Sequence, residues 1–403
     1  MKTIYELLGR GSIHPFPARM APSLAVEFLE GLGSAGRVLD PMVGSGTVLA
    51  LARREGHHGL GFDLDPLAVL LSRVWTSAVN HDEVRSKAVD VLIGARIHFV
   101  HLSVRDAYPE GADDETRRFV RYWFDGYARR QLTALARAIV AVRARHVRDV
   151  LWCAFSRLII TKQAGASLAM DLSHSRPHKV FRTAPVKPFN RFEAAVERVV
   201  VNCLNSERDG NGPVSSVKEG DARALPLPDD SVDLILTSPP YLNAIDYLRC
   251  SKFSLVWMGY SLDSLRSLRS DSIGSEAASK HRASDLAEAV VESLFLRSPL
   301  PTKSRRVLCK YVDDMAGAMR EAQRVLVPNG RAVYVVGENT VQGTFIKTSA
   351  IITALAESCG MRLVRRTTRD LPSARRYLPP PNPDEAAGLD ARMRREVVLT
   401  FNK

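Results

Sequence analysis

The sequence predicts an α/β fold whose parallel sheet is interrupted by a large helical insert. Short apolar strands alternate with helical patterns in the first part of the chain, which is typical of a doubly wound parallel sheet. Between about residues 81 and 211 the alternation stops and helical patterns dominate, and the strand pattern then resumes. The length of 403 residues allows one large domain with insertions, or two domains.

The first unit is predicted as strand, glycine-rich turn, helix, strand and helix. An apolar strand at Arg37–Asp40 leads into the turn Pro41–Thr47, and Val48–Glu55 has helical spacing. The next strand, Gly59–Asp63, ends on an acidic residue. Pro66–Val79 follows as a helix with proline in its first turn, so that this segment forms one βαβα unit.

The later elements follow the same logic. Helical patterns in the insert include Phe119–Arg145 and Phe192–Leu204. Beyond it we expect strands at Val214–Lys218, Val232–Thr237, Arg331–Val336, Arg362–Thr368 and Glu396–Phe401, and helices at Val312–Val327 and Lys347–Ser358. We divide the chain into 1–80, 81–211 and 212–403, with a second insert at about 251–310. Its serine-rich part, Ser261–Ser284, is expected to be a mobile loop, and Leu378–Asp384 a stiff exposed connection.

The charge balance favours a polyanionic partner. Lys and Arg total 56 against 44 for Asp and Glu, which gives a formal net charge of +12. The five cysteines are widely spaced and form no Cys-x-x-Cys pair, which argues against a disulfide framework and a structural zinc. The N-terminus has no signal-peptide core, and no apolar run reaches the ~18 residues of a membrane helix. We therefore expect a soluble, cytoplasmic protein.

The glycine-rich turn is a candidate cofactor site. Gly44 and Gly46 allow a tight turn and a close approach of the backbone to a ligand, and Asp63 could accept hydrogen bonds from ribose hydroxyls. The pattern is neither the G-x-G-x-x-G dinucleotide fingerprint nor a P-loop, so NAD and ATP are disfavoured. A plain strand–helix turn is the alternative interpretation.

A second motif, Thr237-Ser-Pro-Pro-Tyr241, follows the predicted strand at 232–237. Two successive prolines fix the backbone at the carboxyl end of that strand, which is where ligands bind in such sheets. A hydroxyl and an aromatic ring flank the prolines. The same residues in a loose loop would carry little information, but their place at a strand end makes a chance occurrence improbable.

Together these motifs resemble the amino-methylating DNA methyltransferases, which use S-adenosylmethionine. The resemblance rests on Asp40–Thr47 for the cofactor motif D-P-x-x-G-S-G-T and on Ser238–Tyr241 for the catalytic (N/D/S)-P-P-(Y/F) motif. It implies a Rossmann-like seven-stranded methyltransferase sheet, and it covers about 1–80 and 212–403. Two further segments resemble parts of the family's cofactor site: 14–22, which would cover the methionine end, and 220–222, whose acidic residue would meet the adenine.

The resemblance assigns roles residue by residue. The implied catalytic residues are Ser238, Pro239, Pro240 and Tyr241. The implied cofactor-binding residues are His14, Pro15, Phe16, Asp40, Pro41, Gly44, Gly46, Thr47, Asp63, Asp221 and Thr237. No metal site is expected, because His174 and His178 have no carboxylate or cysteine partner at a convincing spacing.

The first residue of the catalytic motif bears on the target base. Serine in that place is associated with N4-cytosine methylation, whereas Asn or Asp is commoner in adenine enzymes. The resemblance therefore favours cytosine as the target base, and an adenine-N6 enzyme of the same fold is the alternative. No cysteine follows a proline, which excludes the chemistry of cytosine carbon-5 methylation. The order of the motifs departs from the permuted group in which the catalytic motif comes first. The large insert before Asp221 also departs from the compact pattern of the family.

DNA contacts are expected in the inserts. Arg117–Arg148 contains nine arginines against the single acid Asp125, although such a run could also be a solvated helix face. The polar basic stretch 171–179 could read base edges or phosphates. The candidate DNA-binding residues are Arg129, Arg130, Arg143, Arg145, Ser173, His174, Arg176 and Lys179.

The predicted activity is a site-specific DNA methyltransferase that flips a cytosine out of duplex DNA and transfers a methyl group directly to its N4. Double-stranded DNA is the expected partner, and a cognate restriction endonuclease is a further candidate partner. The protein is expected to associate with the nucleoid. An RNA methyltransferase is a weaker alternative, since the related motif there usually begins with Asp. A catalytically silent DNA-binding module is disfavoured by the two intact motifs.

Overall fold

The computed structural model describes residues 2–16, 20–33, 35–173, 177–242, 248–275, 281–294, 296, 299–341, 344–370 and 395–403. Its strands are β1 (Arg37–Asp40), β2 (His58–Asp63), β3 (Ala78–Val79), β4 (Leu204–Asn205), β5 (Ser215–Glu219), β6 (Val232–Thr237), β7 (Leu326–Gly337), β8 (Asn339–Val341), β9 (Thr344–Ile346), β10 (Arg362–Asp370) and β11 (Arg395–Asn402). The predicted strands are confirmed to within a few residues, with β7 longer than expected at its start.

The helices are also numbered in chain order. They are α1 (Ile4–Leu8), α2 (Pro22–Glu30), α3 (Thr47–Arg54), α4 (Pro66–Thr76), α5 (His81–His101), α6 (Asp114–Trp123), α7 (Gly126–Val140), α8 (Arg145–Ile159), α9 (Pro188–Val200), α10 (Ser206–Asp209), α11 (Leu248–Leu255), α12 (Leu262–Asp271), α13 (Asp285–Ser293), α14 (Thr302–Val325) and α15 (Thr348–Ser358), with a 3₁₀ turn at Val256–Met258.

Seven strands form one sheet in the order β10-β11-β7-β6-β1-β2-β5. The pairs β6–β7, β1–β6, β1–β2 and β2–β5 are parallel, whereas β11 runs antiparallel to both β7 and β10. This order, with a reversed strand inserted beside β7, is that of the Rossmann-like methyltransferase sheet that the resemblance implies. The predicted fold class is therefore confirmed.

Helices cover both faces of the sheet. Successive strand residues point to opposite sides, so each strand contributes apolar side chains to the helices on both faces. On β6, Leu234 and Leu236 belong to one apolar cluster with α2 and α3, whereas Ile235 belongs to the cluster with α14 and α15. On β7, Val333 and Tyr334 divide between the two clusters in the same way. Strands buried on both faces explain why their sequences are continuous apolar runs.

The helical insert packs onto the sheet domain through α4. Buried residues of α5, α7, α8 and α9 form one apolar cluster with Leu67, Leu71 and Trp75 of that helix. The predicted long helical pattern at 119–145 is divided: α6 ends at Trp123, and Asp125 begins α7 by accepting hydrogen bonds from the backbone N–H groups of Tyr127 and Ala128, both at 2.9 Å.

The serine-rich part of the second insert was expected to be a mobile loop, but helix α12 lies within it and α13 begins directly after it. The serines that suggested low complexity begin these two helices. Ser261 and Ser284 cap the two helices by accepting hydrogen bonds from the backbone N–H groups of Ser264 and Ala287, each at 3.1 Å. The preceding segment is anchored by Phe253, whose ring packs edge-on against Phe119 at 5.1 Å.

Other sequence expectations concern the chain as a whole. All five cysteines are free. In the part of the chain that the structure describes, no helix is long and apolar enough to cross a membrane. The proline-rich run at 378–384 lies outside the described residues.

Candidate functional site

A cavity of about 140 Å³ opens at the carboxyl edge of the sheet. The predicted site residues that line it are Phe16, Pro41, Gly44, Asp63, Asp221, Ser238, Pro240 and Tyr241. Further lining residues come from the second insert and from the residues just before it, and they include Arg249, Arg269 and Gly274. Residues that are far apart in the sequence thus meet in one space, since neighbouring parallel strands deliver their carboxyl ends to the same edge.

A buried hydrogen bond joins the two motif strands. The Thr237 hydroxyl at the end of β6 donates to Asp40 Oδ1 at the end of β1, at 2.8 Å, and the Met42 N–H donates to the same oxygen at 3.2 Å. Burial raises the pKa of the Asp40 carboxyl to about 7, against the opposing effect of these two hydrogen bonds. Asp40 and Thr237 do not line the cavity; they hold the two turns that do.

The glycine-rich turn uses left-handed backbone at two positions. Gly44 has φ +48° and Gly46, which begins α3, has φ +82°. A Cβ on Gly46 would lie 2.9 Å from the Ser72 Cα, so this glycine permits α3 to pack closely on α4. Gly46 and Thr47 are not among the residues that line the cavity, and the Thr47 hydroxyl lies 3.2 Å from that of Ser45. Of the two glycines, only Gly44 lines it.

Two carboxyl groups follow β2. Asp63 Oδ2 accepts the Gly44 N–H and Oδ1 accepts the Asp65 N–H, both at 2.9 Å. Asp65 caps α4 by accepting the Leu67 N–H at 2.9 Å, and its other oxygen accepts the Ser251 hydroxyl at 2.6 Å. Burial raises the pKa of Asp63, and burial together with the charge of Asp63 raises the pKa of Asp65 to about 7. A cationic ligand group beside these two carboxyl groups would stabilise their charged forms and lower both pKa values again.

Asp65 was missed in the sequence analysis. Its signal was the Asp-Pro pair that begins α4, because aspartate before a first-turn proline is a common start of a helix. The pair was used only to place the helix, although the carboxyl group also lines the cavity.

The predicted acidic turn also reaches the cavity. Both oxygens of Asp221 accept hydrogen bonds from Arg223, with a shortest distance of 2.7 Å. Burial would raise the pKa of Asp221, but the hydrogen bonds from Arg223 outweigh it and hold the pKa below its usual value. Arg223 was not predicted; it fixes the carboxylate in its charged form at the cavity wall.

Hydrogen bonds to the neighbouring strands β7 and β11 hold the catalytic motif in place. The Ser238 hydroxyl donates to the Val335 carbonyl of β7 at 3.0 Å and lies 3.5 Å from the Tyr241 hydroxyl. The Tyr241 hydroxyl donates in turn to Glu396 Oε1 at 3.1 Å. Pro240 lines the cavity, whereas Pro239 is buried beside it. Glu396 was not predicted, because nothing in its local sequence distinguishes it from a strand residue.

The segment at 14–16 divides into two roles. Phe16 lines the cavity. His14, predicted to bind the cofactor, is instead buried between α8 and α11, where its Nε2 lies 3.0 Å from the Ser156 hydroxyl, which is itself 2.9 Å from that of Ser254. His14 thus fastens the segment to the insert. Pro15 is half-buried and is not among the residues that line the cavity.

Two of the predicted DNA-binding arginines support the insert itself. Arg129 is only 7% exposed, with its guanidinium 5.0 Å from the centre of the Tyr108 ring. Arg130 donates to the carbonyls of Leu102 at 2.6 Å and Phe99 at 2.8 Å, which terminate α5. Arg129, predicted to bind DNA, thus lies inside the insert, and the half-buried Arg130 is engaged with the end of α5. Charge density alone does not distinguish an exposed arginine from one that caps a helix.

The remaining candidates differ in exposure. Arg143 and Arg145 are exposed, and Arg145 lies 4.0 Å from Asp149. Lys179 is exposed with its Nζ 4.9 Å from the centre of the Tyr122 ring. Ser173 is buried, so it does not offer its hydroxyl to a ligand at the surface. His174 and Arg176 lie outside the described residues.

Metal ligation was not expected from the sequence. Within the described ranges, no group of three or more His, Cys, Asp and Glu side chains has the geometry of a metal site. The acidic residues near the cavity are engaged instead by backbone N–H groups, hydroxyls and Arg223.

The strand order and the cavity define a protein with the methyltransferase fold. No protein-family model matches the sequence. The chain is 24% identical over 394 residues to the Type II methyltransferase M.MvaI of Kocuria varians, covering 90% of this chain and 84% of that protein. It is 23% identical over 377 residues to the Type II methyltransferase M.BsoBI of Geobacillus stearothermophilus, covering 85% and 70%.

Among solved structures, the rRNA methyltransferase aviRa of Streptomyces viridochromogenes matches with 11% sequence identity and a TM-score of 0.32. The alignment covers 100% of this chain and 94% of that one. At so low a TM-score, the assignment of the fold rests on the strand order itself.

The buried Asp40 carboxyl predicts a pH-dependent stability. Its pKa rises from 3.8 to about 7 on folding, so the native state holds a proton that the unfolded chain releases near pH 4. Stability from this group is present below about pH 4 and is lost as the pH rises towards 7. Asp40→Asn keeps the oxygen that accepts from Thr237 and Met42, and at pH 8 it should be more stable than the wild type by on the order of 2 kcal/mol.

The measurement is urea denaturation of both proteins at pH 5, 6.5 and 8. Asp82→Asn is the matched control, because the Asp82 side chain is 89% exposed. Parallel pH curves for wild type and Asp40→Asn would contradict the raised pKa.

Proposed function

We propose that this protein is an S-adenosylmethionine-dependent DNA methyltransferase that methylates the exocyclic N4 of cytosine at a specific site in duplex DNA. The observation that carries the proposal is that the glycine-rich turn and the Ser238–Tyr241 motif open into a single cavity. The Type II methyltransferases to which the chain is similar support DNA as the substrate.

The residues of the cavity fit this cofactor. Gly44 and Gly220 leave the wall without side chains, and a Cβ on Gly220 would lie 2.8 Å from the Phe62 ring. Asp63 and Asp65 favour a positive charge such as the sulfonium and amino groups. When bound, S-adenosylmethionine supplies an activated methyl group. Gly44, Asp63 and Asp221 would hold it, with Phe16 closing the apolar side.

Ser238 acts as an acceptor for the target amine. An exocyclic amine is a poor nucleophile because its lone pair is delocalised into the ring. The Ser238 hydroxyl donates its proton to the Val335 carbonyl, so the lone pairs of the Ser238 oxygen remain available to accept an amine hydrogen. We infer that the carbonyl of Pro239, which lies between the two lining residues Ser238 and Pro240, accepts the second hydrogen and so turns the nitrogen lone pair toward the methyl group. Orientation and electrostatic stabilisation supply most of the rate.

No strong base is required before the attack. The nitrogen that has gained the methyl group is acidic and loses its extra proton to water. The methyl group would pass directly from sulfur to nitrogen, with S-adenosylhomocysteine as the leaving product, so Ser238 forms no covalent bond. Tyr241 supplies a ring on which the base stacks. A cytosine that is stacked and paired in a duplex cannot enter a cavity of the protein. It must therefore rotate out of the duplex, at a cost of a few kcal/mol.

The DNA path follows from the cations that line the cavity, of which Arg249 is half-buried and Arg269 exposed. Arg249 and Arg269 line the same space as Ser238 and Tyr241, in the part contributed by the second insert and the residues just before it. We infer that this part, together with the insert at 81–211 and its exposed Arg143, forms the DNA-facing side. A Type II modification role, with a cognate endonuclease, is part of the same proposal.

The product identifies the base. Unmodified duplex DNA incubated with the protein and S-adenosylmethionine should yield N4-methylcytosine when digested to nucleosides and analysed by mass spectrometry. The short serine hydroxyl at position 238, where adenine enzymes more often carry Asn or Asp, supports cytosine. N6-methyladenine alone would contradict the cytosine assignment, and the absence of any methylated base would overturn the function. DNA incubated without the cofactor is the control.

Removing the acceptor should separate chemistry from binding. Ser238→Ala should lower the single-turnover rate of methyl transfer by roughly 10- to 100-fold, because one hydrogen bond to the reacting amine is removed. Its dissociation constant for S-adenosylmethionine, measured by calorimetry, should stay within about twofold of the wild type. Ser231→Ala, before the opposite end of β6, is the control. A near-normal rate in Ser238→Ala would contradict the assigned role.

The arginines of the insert should separate into two classes. Arg143→Ala with Arg145→Ala should keep the melting temperature but weaken DNA binding, and should reduce the slope of log affinity against log salt by about 1 for each phosphate that an arginine no longer neutralises. Arg130→Ala should instead cost about 1–3 kcal/mol of stability, because two carbonyls at the end of α5 lose their donor. Denaturation and salt-dependent binding measure both; an unchanged slope in the double variant would place the DNA elsewhere.

A further inference from the structure

We propose that Glu396 and Arg369, on the last two strands of the sheet, are positioning residues that fix the proton of the Tyr241 hydroxyl and thereby keep Ser238 free to accept the target amine. This inference rests on the proposed function, in which Ser238 and Tyr241 contact the flipped base. It assigns a catalytic purpose to a polar pair that lies outside both motifs.

The reversed direction of β11 brings Glu396 to the site. Because β11 runs antiparallel to β7, its first residues lie at the edge where the parallel strands end. Glu396 is the register partner of Gly337 on β7 and of Arg369 on β10. Neighbouring strands are about 4.8 Å apart, so a side chain on β11 must cross β7 to reach the turn after β6. Gly337 has no side chain to obstruct that crossing.

The two oxygens of Glu396 are divided between two donors. Oε2 accepts from Arg369, from Nε at 2.8 Å and from Nη2 at 2.5 Å. Oε1 accepts from the Tyr241 hydroxyl at 3.1 Å. Glu396 is 9% exposed and the Arg369 side chain 20%. A buried ion pair of this kind need not stabilise the fold, because apolar residues of similar volume in its place often give equal or greater stability.

The division sets the direction of a chain of hydrogen bonds. A carboxylate can only accept, so the Tyr241 proton points at Glu396 and away from Ser238. The Ser238 hydroxyl, 3.5 Å from that of Tyr241, keeps its own proton on the Val335 carbonyl. The lone pairs of Ser238 are then left for a hydrogen of the target amine.

Glu396→Gln reverses this direction without removing the side chain. An arginine has no acceptor, so the glutamine carbonyl must face Arg369 and the amide NH₂ must face Tyr241. The Tyr241 oxygen then accepts from the amide, so its proton leaves residue 396. The Ser238 oxygen, 3.5 Å away, is an acceptor within reach of that proton, and it is the same acceptor that the target amine needs. In Tyr241→Phe the ring remains but there is no proton to turn, so Glu396→Gln should have no further effect in that background.

The experiment is a double-mutant cycle on the full-length protein. Glu396→Gln, Tyr241→Phe and the double variant are compared with the wild type in single-turnover methyl transfer to duplex DNA. We expect Glu396→Gln to be slowed about 10-fold, and the double variant to be no slower than Tyr241→Phe alone. The dissociation constant for S-adenosylmethionine should stay within about twofold in all four proteins, so that the loss lies in kcat.

A neighbouring ion pair supplies the matched control. Arg395 and Asp370 are paired across the same two strands at 2.9 Å, but their side chains are 68% and 81% exposed. Asp370→Asn should leave the rate of methyl transfer unchanged, whereas a loss equal to that of Glu396→Gln would mean that the pair at 396 only supports the sheet.

Additive effects of Glu396→Gln and Tyr241→Phe, or a normal rate in Glu396→Gln, would overturn the inference while leaving the proposed function intact. A wild-type protein that transfers no methyl group to DNA would overturn the proposed function, and this inference with it. The two failures are therefore distinguishable within one set of assays.

Discussion

The hydrogen bond between Asp40 and Thr237 is the constraint on which the site depends. The two residues are 197 positions apart in the sequence, yet their side chains meet at 2.8 Å because β1 and β6 are neighbours in the sheet. Asp40 also holds the start of the glycine-rich turn through the Met42 N–H. A single buried carboxyl group thus fixes the distance between the turn that would hold the cofactor and the motif that would hold the base. Its raised pKa indicates that this placement costs stability.

The cavity brings acidic and basic side chains together in one lining. Its lining residues include the acids Asp63, Asp65 and Asp221 and the cations Arg249 and Arg269. The Ser251 hydroxyl of α11 donates to Asp65 at the start of α4, so the second insert is tied directly to the strand ends that form the acidic part of the lining. The second insert also shares an apolar cluster with the first insert and α4. The inserts therefore shape the site as well as extend the protein.

Much of the fold was predictable from the sequence, because strands buried on both faces are continuous apolar runs and the two motifs punctuate them. The strands at 37–40 and 232–237 were predicted with the bounds that the structure has. The errors share one cause, which is that composition does not report what a side chain contacts. The serines at 261 and 284 cap helices in a stretch that composition suggested to be a loop, and Arg130, predicted to bind DNA, donates to two carbonyls at the end of α5. Glu396 could not be predicted, since its role depends on strand pairing across the sheet.

The central claim is that one cavity holds the cofactor and the target base together. A crystal structure of the protein with S-adenosylhomocysteine tests it most directly. The account predicts that the ligand lies against Gly44, Asp63 and Asp221, with its sulfur directed towards Ser238 and Tyr241. A ligand bound in another part of the molecule, or in this cavity with its sulfur directed away from Ser238, would contradict it.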